Sequence, residues 1–270
     1  MENSFLQRQR AQSELRFALR SWFYRYGYAE VNTPCMVSSP AMEEHLEAIQ
    51  IPEYNSWLHT SPEFAMKKLL AQGHTRIYQL AHCFRKEELG IHHKTEFEML
   101  EWYRVGASYW DLMEETENLV QYLYETVGQP PPVFTRIPTR DLLPLHLPPD
   151  EWFFRWVDEI EPHLPPACIV YDYPAWQSAL ARIRGDIACR FEIYIHGVEL
   201  ANAFDEEADP AEIRIRWTQN NHNRSQVHKH PYPIDEDFLQ ALPNMPRCSG
   251  IAMGWDRLVM LILGQHSIHE

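Results

Sequence analysis

Two arginines and two sets of carboxylates define the chemistry open to this chain of 270 residues. Arg85 and Glu87 stand where the stretch from Arg76 to Phe84, which reads as a strand, comes to its end. A second strand follows, and in it Phe97, Met99, Glu101 and Tyr103 share one face because strand side chains alternate. A core face does not carry Glu101 beside Tyr103 unless something cationic sits there. Further on, Arg190 to Glu199 reads as a hairpin turning at His196-Gly197. Pairing Ile195 with Val198 sets Glu199 opposite Tyr194, so Glu192 and Glu199 lie diagonally adjacent on one face. Carboxylates that close repel unless a cation lies between them, and Mg²⁺ is the expected ion. Near the end of the sequence, Gly254-Trp255-Asp256-Arg257 leads a glycine-bearing strand into an apolar helix.

The elements that must position these groups are legible around them. Glu14 to Tyr26 carries Leu15, Leu19, Trp22, Phe23 and Tyr26 at helical spacing, and Gly27 suits the C-cap. Tyr28 to Pro34 then reads as a strand. Thr60-Ser61-Pro62-Glu63 reads as a helix start, with Pro in the first turn and Glu63 closing a capping box with Thr60. A helix is expected over 109–127 and another over 209–222, with sheet at 168–173 and 190–204. Ten of the 20 prolines fall between Pro130 and Pro166, so 129–167 reads as a connector or small insertion.

Length and composition fit one large α+β domain spanning 1–270, with a core of its own. Its first residues are polar and charged, unlike a secretory signal, and its longest apolar run is too short to cross a bilayer. Five cysteines without a C-x-x-C pair read as reduced packing thiols in a cytoplasmic protein. The fourteen histidines, His92-His93 among them, lack metal-site spacing and read as surface residues. Net charge is −14, and no Lys/Arg run appears. Nucleic acid, tRNA included, is therefore a poor default partner.

Three blocks resemble the motifs of class II aminoacyl-tRNA synthetases. The Glu14–Pro34 helix and strand is similar to motif 1, the dimer interface of that class. Phe84-Arg85-Lys86-Glu87 stands at the F-R-x-E of motif 2, and Cys248 to Gly264 resembles motif 3. The resemblance implies a mostly antiparallel sheet flanked by helices, ATP and Mg²⁺ as cofactors, and a homodimer. It assigns Arg85 to the α-phosphate and the substrate carboxylate, Arg257 to the γ-phosphate, and Phe97 to stacking on adenine. Glu87 would accept from the adenine amine, with Leu200 and Gly254 also at the nucleotide. Glu192 and Glu199 would hold the metal.

Ser61, Glu63, Glu101, Tyr103, Asn202, Glu206 and Ala252 would surround a dicationic amino acid, lysine or an isomer. Asn202 and Glu206 need a bulge or a strand end to turn inward beside Glu199. Within the class, the blocks 60–67, 96–104, 199–202 and 248–250 resemble the elongation factor P (R)-β-lysine ligase family, truncated paralogues of lysyl-tRNA synthetases. Ala252 stands where those synthetases usually carry Gly, a change associated with a β-amino acid. Lys94-Thr95 and Ala203 depart from the family pattern. The resemblance implies adenylation of (R)-β-lysine or lysine and transfer to elongation factor P, with no anticodon-binding domain. Aminoacylation of tRNA or another carrier, a small-molecule product, and a catalytically silent amino-acid-binding paralogue are the alternatives.

Overall fold

The computed structural model describes residues 4–40, 42–86 and 90–269. A nine-stranded sheet runs in the order β1 (Ala29–Glu30), β5 (Arg76–Phe84), β6 (Glu96–Val105), β12 (Cys248–Gly254), β11 (Val198–Asp205), β10 (Ile187–Ile195), β8 (Ala167–Pro174), β7 (Thr135–Pro138). A short β9 (Ile183–Arg184) pairs with β10 off this path. The two outermost pairs, β1 with β5 and β7 with β8, are parallel, and every pairing between them is antiparallel. A second, small sheet holds β2 (Met36–Val37), β3 (Gln50–Ile51) and β4 (Ser56–Leu58).

The sheet's two faces are divided between packing and chemistry. One face is covered by α1 (Ser4–Arg25), α3 (Tyr109–Thr126) and α7 (Trp255–Ile262), and Leu100, Trp102, Ile251, Met253 and Ala203 point into that core. Helix α1 buries Leu15, Leu19, Trp22 and Phe23, and the Phe23 ring stacks on Tyr78 with centroids 4.0 Å apart. The helix stops because Gly27 takes φ +74°, which its missing side chain permits. Tyr26 lies past the helix and is 44% exposed, and the strand expected over 28–34 shrinks to the two residues of β1.

On the opposite face, α2 (Glu63–Ala71), α5 (Pro210–Gln226) and α6 (Glu236–Ala241) cover one end only. There Phe64, Trp217 and Phe238 pack on Ile77 and Tyr103. The rest of this face is left for a cavity.

The proline-rich stretch is part of the fold. It supplies edge strand β7 and the short α4 (Pro149–Arg155), whose Trp152 stacks on Trp156 at 4.9 Å over Tyr173 and Tyr194. Prolines suit this edge because β7 pairs on only one side.

Candidate active site

The strand hairpin folds as its turn dictates. His196 and Gly197 both take positive φ, 51° and 74°, the signature of a two-residue turn that matches strand twist. Ile195 pairs with Val198 and Tyr194 with Glu199, the expected register. Register then shifts at Ile193/Tyr194, leaving Leu200 as an extra residue on β11. This bulge turns Asn202 onto the face of Glu192, its direct partner.

Four strands thereby lay out one row. Glu101 of β6 pairs with Ala252 of β12, Ala252 with Asn202 of β11, and Asn202 with Glu192 of β10. A parallel row holds Tyr103, Gly250, Phe204 and Arg190. Gly250 is required in this row: a Cβ there would lie 2.2 Å from Tyr103 Cε1 and 2.7 Å from Glu206 Oε1.

Above the rows opens a cavity of about 940 Å³, counted with its mouth. Ser61, Glu63, Arg85, Phe97, Glu199, Leu200, Asn202, Ala252, Gly254 and Arg257, all singled out in the sequence, line it. Arg85 lies with its guanidinium 5.1 Å from the Phe97 ring centre. Arg257 projects from the first turn of α7; it donates to the Glu199 carbonyl at 2.6 Å and the His92 carbonyl at 3.2 Å and lies 2.7 Å from His93 Nε2. Asp256 Oδ2 accepts from the Glu98 amide at 2.7 Å, tying α7 to β6 at the cavity wall. Glu199 opens on the cavity, yet the enclosing protein and then the Glu192 charge push its carboxyl up to about 7.

Other expected residues are placed differently. Glu101, Tyr103 and Glu206 do not line the cavity; they are 1–3% exposed, in a buried annex that adjoins it at Ser61 and Glu63. The reason is Lys67, whose buried ammonium already sits 2.5 Å from Glu63 Oε1 and 2.6 Å from Glu206 Oε2. Tyr103 donates to Glu101 Oε1 at 2.5 Å, and Ser61 donates to Glu101 Oε2 at 2.7 Å. Burial first, and then neighbouring carboxylates, push Glu101 and Glu206 up to about 8. The capping box between Thr60 and Glu63 does not form: Ser61 Oγ accepts from the Glu63 amide at 3.0 Å, and the Glu63 carboxylate turns to Lys67.

Glu192 is adjacent to Glu199 but already has its cation. It pairs with Arg190 and accepts from Tyr173 at 2.6 Å and Tyr194 at 2.7 Å. Glu199, facing the cavity beside Glu192, fits one carboxylate contact to Mg²⁺; such an ion takes its other oxygens from phosphates and water. Among the described residues no group of three or more His, Cys, Asp or Glu could hold a metal without a ligand's help. Glu87 lies outside the described residues.

His92 and His93, expected on the surface, are half-buried in the cavity wall. Lys94 lines it too, whereas Ala203 is fully buried on the other side of the sheet, so the second departure never meets the cavity. Glu43, Glu98 and Asp256 also line it and were not singled out. Glu43 is held there by a segment that α5 grips. Arg224, 1% exposed, donates to the carbonyls of Leu46 at 2.8 Å and Glu44 at 3.1 Å and pairs with Glu47 at 2.8 Å. Four of the five cysteines are buried, in keeping with packing thiols.

Known proteins share this arrangement of sequence. The family model described as tRNA synthetases class II (D, K and N) matches residues 1–270. The chain is 36% identical to the elongation factor P--(R)-beta-lysine ligase of Vibrio vulnificus, with 93% of this chain and 90% of that one covered. It is 35% identical to the ligase of the same name from Klebsiella pneumoniae strain 342, over the same shares. It is also 35% identical to an elongation factor P--(R)-beta-lysine ligase homolog of Aquifex aeolicus, with 93% of each chain covered. The antiparallel sheet, the arginines lining the cavity and the extent of these matches lead to one conclusion: the chain belongs to the class II tRNA synthetases of the D, K and N family.

Proposed function

We propose that the protein is an ATP-dependent ligase that activates (R)-β-lysine or lysine as an adenylate and transfers it to a lysine side chain of elongation factor P. One observation carries the reading. Arg85 and Arg257 line the cavity, and the buried carboxylates Glu101 and Glu206 are joined to its lining residues Ser61 and Glu63, the first by a hydrogen bond and the second through Lys67. Such polarity suits a substrate with an anionic end that reacts and an ammonium end that is recognised. The names of the relatives, elongation factor P--(R)-beta-lysine ligase, support the acceptor.

Adenylation joins the amino acid carboxylate to the α-phosphorus and expels pyrophosphate. No protein nucleophile is needed; two anions must be brought into line and the growing charge on phosphate oxygens stabilised. Arg85 would bridge the carboxylate and α-phosphate, and Arg257 would take the γ-phosphate. Phe97 would stack on adenine, with Glu87, Leu200 and Gly254 completing the nucleotide site. Mg²⁺, when bound, would neutralise triphosphate oxygens against Glu199, with Glu192 behind it. Ser61, Glu63, Asn202 and Ala252 would shape the amino acid end, and Glu101, Tyr103 and Glu206 would read its distal amine. The acceptor amine would then attack the adenylate carbonyl, releasing AMP and forming an amide. Residues 1–270 would serve as one catalytic unit in the cytoplasm. Among the described residues no helix is long and apolar enough to cross a membrane.

The acceptor is tested by mass spectrometry. Elongation factor P from the same organism, incubated with enzyme, ATP and each lysine isomer, is expected to gain the mass of one lysyl group. Unmodified elongation factor P beside charged tRNA would instead favour the tRNA reading, which the net charge of −14 disfavours.

A further inference from the structure

The annex that adjoins the cavity holds an ammonium of the protein's own. Lys67 projects from the second turn of α2, four residues after Glu63, so both side chains lie on the same helix face. Its side chain is 1% exposed, and its nitrogen lies between Glu63 and Glu206, 5.8 Å from the Tyr103 ring centre. The groups that face it are Glu63 from its own helix, Glu101 and Tyr103 from β6, Glu206 just past β11 and the Cys248 thiol from β12.

Two buried carboxylates, Glu101 and Glu206, and the cavity-lining Glu63 share one ammonium, which leaves an excess of acceptors. Glu206 Oε1 and Asn202 Oδ1 are buried and receive no hydrogen bond from any described residue. Without a resident cation, the carboxyls would keep their protons to still higher pH and bond to each other, and an incoming ammonium would gain little there. With one, Glu63 and Glu206 are held apart on either side of it, and the remaining acceptors ask for a second positive donor.

We infer that Lys67 is a specificity-determining positioning residue, whose ammonium holds Glu63 and Glu206 so that the pocket recognises a substrate ammonium. This rests on the amino acid activation reading. Lys67 touches no reacting atom; it acts through the two carboxylates. Its positive charge stays in place across the neutral range, because the paired carboxylates raise its proton affinity despite burial. The ligand class is an amino acid with a terminal primary ammonium on an aliphatic chain.

Steady-state ATP–pyrophosphate exchange on the full chain tests this, with (R)-β-lysine, α-lysine and uncharged norleucine across the neutral pH range. Lys67→Met keeps the aliphatic stem and drops the charge. The expected result is a KM for the preferred lysine isomer raised roughly tenfold or more with kcat little changed, since breaking one half of a buried ion pair is costly. The rise of 1/KM with pH should also move upward, because the carboxylates then hold their protons longer. Lys67→Arg, which restores the charge, should recover part of the loss, an outcome that lost packing alone does not give. Should the Met variant fail to fold by circular dichroism, Lys67→Gln carries the same test. An unaltered KM and pH profile in the folded uncharged variant, with wild type active, overturns the inference alone. Wild-type protein that exchanges pyrophosphate with no lysine isomer overturns the activation reading, and the inference with it.

Discussion

At the scale of single residues, the site is governed by carboxylates kept from their ordinary ionisation. Glu101 and Glu206 are pushed from 4.5 up to about 8, chiefly because burial penalises their charge. A carboxyl raised in the folded state holds a proton that the unfolded chain has already lost, so stability falls as pH rises from 4.5 towards 8. Carboxylates depressed by their partners, such as Glu30 beside Arg20 and Asp111 bonded to the α3 N-cap residue Ser108, act oppositely, but their contribution is complete above their unfolded values near 4. The unliganded protein should therefore show a Tm that declines from about pH 5 to about pH 8. A lysine isomer should raise Tm more at the upper end, where its ammonium meets ionised carboxylates. Calorimetric melts with and without ligand check this; a Tm rising steadily through that window would contradict it.

The same residues show what the sequence could and could not disclose. Arg85, Phe97 and Arg257 sit at the ends or starts of strongly patterned elements, and each reaches the cavity. Lys67 had a signal, its spacing of four from Glu63 on one helix face, which the capping reading of Glu63 obscured. Glu192's partners had none: Tyr173 arrives from β8, and its contact depends on strand order. Glu43 had none either, since the segment bearing it is positioned by Arg224, far along the chain.

At the scale of elements, strand pairing does the positioning. The His196-Gly197 turn made the first hairpin pairs legible, because two-residue turns fix register. The bulge at Leu200 was anticipated only as a need of Asn202, since nothing local marks it; no glycine stands there. Helix α1 reaches the site from behind the sheet, where Arg16 Nη1 donates to Glu98, a cavity residue, at 2.8 Å. Its outer side leaves Phe17 and Tyr24 exposed at 76% and 85%, two turns apart on one face, while Leu15, Leu19 and Trp22 are buried. Apolar side chains set out in this way suit an interface. Light scattering should give twice the chain mass of 32.0 kDa, and Phe17→Glu with Tyr24→Glu should lower it. A single-chain mass with full activity would refute the homodimer.

At the scale of the whole molecule, the arginines Arg85 and Arg257 share one cavity with carboxylates in a protein of net charge −14. The antiparallel core and the order of its motifs were legible, because long patterned strands and helices carry their own evidence. The fate of the proline-rich stretch was not: β7 is four residues long and gains its place only by pairing with β8. The central claim, that this cavity joins an amino acid carboxylate to ATP, is met most directly by ATP–pyrophosphate exchange. Exchange should require Mg²⁺ and a lysine isomer, and Arg85→Ala and Arg257→Ala should each reduce it by roughly 10²-fold or more, the scale of losing a charge-stabilising group. Near wild-type exchange in both folded variants, or no exchange by the wild type with any lysine isomer, would contradict it.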